Sequence, residues 1–80
     1  MDSHQKRKRL QWNGHHVRAL RSHLGLTQRE LAETLGTRQQ TISEWEKGMY
    51  RPRGASSTLL TIVAERARFE YGAESEDREN

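Results

Sequence analysis

Apolar positions recur at helical spacing in four stretches of the chain, and no run of alternating β-branched residues competes with them. Val17, Leu20 and Leu24 stand at i, i+3 and i+7, with Asn13 before them as an N-cap and Gly25 after them as a helix stop. Trp12 and Val17 take the two positions of a hydrophobic staple. The second stretch opens on Thr27 with Glu30 three residues later, a capping box, while Leu26 and Leu31 repeat the staple. Gly36 ends it after about two turns, with Leu31, Ala32 and Leu35 turned inward; so short a helix needs tertiary partners to form.

The third helix is predicted to lie between position 37 and Gly48, with Ile42, Trp45 and Met49 on one face. Thr37 with Gln40 reads as its capping box, because a start one residue later would leave Arg38, a poor cap, in that role. Pro52 then forbids helix at Arg51 and makes 49–54 a connecting loop. A fourth helix starts at Ser56 or Ser57 and turns Leu59 or Leu60, Val63 and Ala67 inward, with Ile62 beside them and Phe69 closing the core. The fold class expected is all-α, a compact bundle of four to five helices.

Composition sharpens the domain limits. Only 31% of the 80 residues are hydrophobic, and they concentrate between Trp12 and Tyr71. One helical domain over 12–71 follows, flanked by a flexible basic arm over 1–11 and an acidic disordered tail over 72–80. Without cysteine there is no disulfide framework, thiolate nucleophile or thiolate-bound zinc. No apolar run follows the basic N-terminal residues to make a signal peptide or membrane helix, so the cytoplasm is the expected compartment, with no membrane partner.

Charge is unevenly placed. Positions 1–53 hold eleven Lys and Arg against five Asp and Glu, net +6, and positions 54–80 hold three against six, net −3. A basic N-terminal two-thirds suits a polyanion. The second and third helices, joined tightly at Gly36 and Thr37, have the form of a helix-turn-helix, in which the second helix enters the DNA major groove. With Ile42 inward, Gln40, Glu44 and Lys47 fall on the opposite, wholly polar face. Gln39 and Gln40 in its first turn suit base reading, because glutamine can bond adenine N6 and N7 together.

The stretch LGLTQRELAETLGTRQQTISEWEKG resembles the lambda-repressor-like, or XRE, helix-turn-helix family. The matching elements are Leu24, Gly25, Leu26, Thr27 and Gln28, then Glu30, Leu31 and Ala32, then Gly36, then Thr41, Ile42 and Ser43, then Glu46 and Gly48. The likeness runs from about Val17 to Ala67, and within the family GTRQQTI followed by RPR is most similar to lambdoid phage repressors and Cro proteins. The resemblance implies a five-helix bundle that binds operator DNA, commonly as a two-fold dimer. It also implies that Gln39 and Gln40 read bases, with Glu44 as a third reader. Gln28 would contact a phosphate and buttress the glutamine beside it, Arg21 and Glu46 would form an ion pair between the first and third helices, and Arg53 would lie near the central minor groove. Thr37, Arg38, Thr41, Ser43, Lys47 and Arg51 complete the expected backbone-contacting set. Arg38 stands where the family has a small capping residue, Arg68 where it has the glycine ending the fourth helix, and no fifth helix pattern follows Phe69.

Lys6, Arg7, Lys8 and Arg9 would form a basic arm along the duplex, adding salt-dependent affinity without sequence information. His16 and His23 share a helix face, with His15 nearby, but no third ligand accompanies them, so neither a metal nor another cofactor is expected. No paired carboxylates, nucleophile elbow or glycine-rich phosphate loop suggests an enzyme. The function expected is sequence-specific binding of double-stranded operator DNA by a transcriptional regulator, a repressor acting as a weak homodimer on a pseudo-palindrome. The rival reading is the antitoxin of a toxin-antitoxin pair, which binds a protein toxin and its own promoter; it requires an ordered toxin-binding segment over 68–80.

Overall fold

Capping chemistry sets where each helix begins and ends. A computed structural model describes residues 12–69, and they form α1 (Gly14–Leu24), α2 (Gln28–Leu35), α3 (Gln39–Glu46) and α4 (Ala55–Arg66), with no strand among the described residues. The expected basic arm over 1–11, Tyr71 and the acidic tail over 72–80 lie outside the described residues. Asn13 caps α1 by accepting from the His16 N–H at 2.8 Å. Gly25 leaves the helix at φ 71°, and the Leu26 N–H closes back onto the Arg21 carbonyl at 3.1 Å. The α2 capping box is complete: Thr27 Oγ1 accepts from the Glu30 N–H at 3.0 Å, and Glu30 Oε1 accepts from the Thr27 N–H at 2.9 Å.

The start of α3 differs from the expected capping box at Thr37. The Thr37 N–H is bonded to the Ala32 carbonyl at 2.9 Å, closing the left-handed exit of α2 through Gly36, so Thr37 belongs to the end of the preceding helix. Arg38, extended at φ −103° and ψ 153°, becomes the N-cap and offers no side-chain cap, and α3 runs over Gln39–Glu46 rather than about 37–47. Met49 also departs from expectation. Gly48 turns left-handed at φ 81° and the Met49 N–H bonds the Glu44 carbonyl at 3.0 Å, which carries Met49 off the helix face into solvent.

In α4, which starts at Ala55 one residue before the earlier of the two predicted starts, Leu60 and Ala64 are the buried pair, with Val63 packed beside them. Leu59 and Ile62 face outward, each 39% exposed. Arg68 adopts the left-handed conformation at φ 56° that the end of this helix requires, and Phe69 N–H then reaches the Ala64 carbonyl at 2.9 Å while its ring packs against the core.

The core joins all four helices through Trp12, Val17, Leu20, Leu31, Ala32, Leu35, Ile42, Trp45, Leu60 and Ala64. Each fully buried aliphatic side chain among them contributes about 1.5–3 kcal/mol. Trp12 extends beyond its staple role: its Nε1–H donates to Thr61 Oγ1 at 3.1 Å, tying the start of the described chain to α4. α3 packs on α1 and α2, and α4 on α2.

Gly14, the first residue of α1, lies against the end of α3. A Cβ there would collide with the Trp45 carbonyl oxygen and stand 2.9 Å from that of Glu46. Backbone on both sides leaves little room to yield. Gly14→Ala should therefore destabilise the domain by about 1–3 kcal/mol despite alanine's better helix propensity, and a denaturation midpoint equal to or above the parent's would refute the close approach. Arg68→Gly should act in the opposite sense, stabilising by about 1 kcal/mol through relief of a left-handed non-glycine residue, as measured by thermal melting.

Candidate nucleic-acid interface

The recognition surface is built from α3 outward. Ile42 and Trp45 anchor the helix in the core, which turns Gln39, Gln40 and Glu44 away from it. Gln39 and Gln40 are exposed in the first turn; Thr41, Ser43 and Glu44 are half-exposed; Arg38 and Lys47 are exposed at its two ends. Glu44 and Gln40 are joined, with Gln40 Nε2 donating to Glu44 Oε2 at 3.0 Å. Past α3, Arg51 and Arg53 are exposed on either side of the buried Pro52.

One network fixes the far end of α3. Arg21 makes a two-pronged contact with Glu46, Nε to Oε2 at 2.7 Å and Nη2 to Oε1 at 3.0 Å, and its Nη1 donates to the Leu26 carbonyl at 3.2 Å. Gln28, at the first position of α2, donates from Nε2 to Glu46 Oε1 at 3.1 Å. The carboxylate thus receives donors from α1 and α2 while itself belonging to α3. The Glu46 side chain is only 6% exposed and that of Arg21 20%. Burial by itself pushes the Glu46 carboxyl up, but hydrogen bonds from Arg21 and Gln28, together with the charges of Arg21 and Arg18, outweigh it and leave it below the ordinary carboxylate range. The hydrogen bond to Glu46 correspondingly raises Arg21.

A helix-turn-helix family model matches residues 17–60, the span from the first turn of α1 to the middle of α4. The chain belongs to the XRE-type, lambda-repressor-like helix-turn-helix family. Members of this family are DNA-binding domains of transcription regulators. A described relative, an uncharacterized HTH-type transcriptional regulator of Methanothermobacter thermautotrophicus, is 56% identical over 36 residues, covering 45% of this chain and 52% of its own. The chain therefore spans about half the length of that relative. No solved structure matches this chain.

The Arg21 and Glu46 positions picked out by resemblance meet in this structure, and Gln28 joins them. The attachment of Gln28 to Glu46 was not foreseen, since its amide was expected to face a phosphate and a neighbouring glutamine. Gly14 was also missed; its one sequence signal is a glycine at a first helical position where alanine would favour the helix. Among the described histidines, His23 Nε2 lies 2.9 Å from the Ala67 carbonyl oxygen with its ring against Phe69, and the His16 ring meets Trp12 edge-on.

Glu46→Ala should cost about 2–3 kcal/mol at neutral pH, between the values for breaking a buried and an exposed pair. Because the folded-state carboxyl lies below its unfolded value, the stabilisation is present above the ordinary carboxylate range, near 4.3, and is lost as pH falls through the lowered folded value. Urea unfolding of both proteins across pH 2–7 checks this: the difference between them should narrow toward the acid end, and a gap that widens there would contradict the assignment.

Proposed function

We propose that this chain binds duplex operator DNA as a transcriptional repressor, with α3 inserted into the major groove. The observation that carries the reading is the division of α3 into a core-anchored face, held at its end by the Glu46 network, and an outward polar face with two exposed glutamines in its first turn. Gln39 and Gln40 read base edges, and Glu44, one turn on, faces the same groove beside them. Thr37, Arg38, Thr41, Ser43, Lys47 and Arg51 serve the sugar-phosphate backbone. Gln28, at the N-terminal end of α2, has a backbone terminus suited to phosphate, and Arg53 suits a narrow minor groove between half-sites. Lys6, Arg7, Lys8 and Arg9 add sequence-independent attraction.

A single helix reads too few base pairs to single out one site in a genome, which favours two copies on a pseudo-palindrome with half-sites about 34 Å apart. The outward Leu59 and Ile62 of α4 offer a small apolar surface for that pairing, small enough that association is weak off DNA. Phe69 closes the chain's own core, as its place in the pattern predicts, and leaves that surface to α4.

Selection of bound sites from random duplexes, followed by titration of the best site, tests the reading. Gln39→Ala and Gln40→Ala should each cost about 1–3 kcal/mol on the selected site and little on random DNA; equal losses on both would remove base reading from α3. Sedimentation of a labelled operator should saturate at two chains, and saturation at one would exclude the dimer.

A further inference from the structure

The bond between Gln40 and Glu44 limits what Gln40 can present to a base. A carboxylate only accepts, so the bond from Gln40 Nε2 to Glu44 Oε2 at 3.0 Å sets the amide with its nitrogen toward Glu44 and takes up one of its two N–H groups. What remains is one N–H and the carbonyl oxygen, a donor beside an acceptor. That pair matches adenine, which shows an N7 acceptor and an N6 donor in the major groove. Guanine shows two acceptors there, O6 and N7, and would need the N–H that Glu44 holds or would set its O6 against the amide oxygen.

We propose that Glu44 is a specificity-determining residue acting through Gln40, locking the amide so that Gln40 reads adenine and rejects guanine; this rests on α3 being the base-reading helix. On the free surface water competes with the bond. In a closed groove that competition falls away and the bond strengthens, so the lock is tightest where reading takes place. The charge of Glu44 points the same way, since a carboxylate among phosphates lowers affinity on every sequence and brings its benefit only through selectivity.

The test compares sites selected from random duplexes by the parent protein, Gln39→Ala, Gln40→Ala and Glu44→Gln. Gln40→Ala marks the base pair that Gln40 reads. Glutamine at 44 keeps the size of the side chain but can donate or accept, which frees the Gln40 amide to turn over. At the marked pair the parent should favour adenine over guanine by about fivefold or more, and Glu44→Gln should cut that preference by about threefold or more. The pair marked by Gln39→Ala should keep its preference, and affinity for random DNA should not fall. The lock is overturned if Glu44→Gln leaves the marked pair unchanged, or shifts preference at another pair in its place, which would make Glu44 a direct reader. Should Gln40→Ala alter no base preference at all, base reading by Gln40 is lost and the lock built on it falls with it.

Discussion

A buried carboxylate is unfavourable unless its oxygens are satisfied, and the meeting of α1, α2 and α3 is organised around satisfying Glu46. Three donors reach it: two from Arg21 near the end of α1 and one from Gln28 at the start of α2. Arg21 is itself constrained, because its guanidinium bonds the Leu26 carbonyl while its own carbonyl receives the Leu26 N–H. The same turn that stops α1 therefore aims the side chain that holds α3. An eight-residue helix has little stability by itself, so the direction of α3 is a property of this network and of the core contacts of Ile42 and Trp45.

Gly14 reinforces the arrangement at the backbone level. The N-terminal end of α1, with its positive dipole, abuts the last carbonyls of α3, at the negative end of that helix, and the absence of a Cβ lets them approach. Trp12, two residues before, is bound to α4 through Thr61, which ties the start of α1 to that helix. The opposite end, where Gln39 and Gln40 project, is held only by the short turn over 36–38 and by core contacts beneath. One end of α3 is clamped and the other presented. This polarity suits the proposed entry of α3 into the major groove with its first turn against the bases.

The Gln40 and Glu44 pair is a surface hydrogen bond that contributes little stability, and the proposal made above gives it a part in recognition. Both residues lie on the outward face, and their spacing of four brings them together on any α-helix. The bond takes up one N–H of the Gln40 amide, so what that side chain offers outward is set jointly by two residues. In the proposed reading, this gives Glu44 a role on a face that otherwise suits DNA.

What the sequence by itself determined was most of what residues within a turn or two of one another govern. Asn13 and Gly25, Thr27 and Glu30, and Gly36 delimit α1 and α2 because caps and left-handed exits are local, and the helical spacing of Ile42 and Trp45 assigned the inner face of α3 for the same reason. The motif shared with the family carried Arg21 and Glu46 as a pair, although 25 residues separate them. The tertiary structure alone decided the rest. Thr37 had two local uses open to it, and the exit of α2 claimed it; Leu59 and Leu60 were equivalent by pattern until the packing of α4 buried one of them. Gly14 against Trp45, Trp12 with Thr61, and Gln28 on Glu46 each join positions far apart in the chain. No local propensity encodes such approaches, because they exist only once whole helices have been brought together by the core they share.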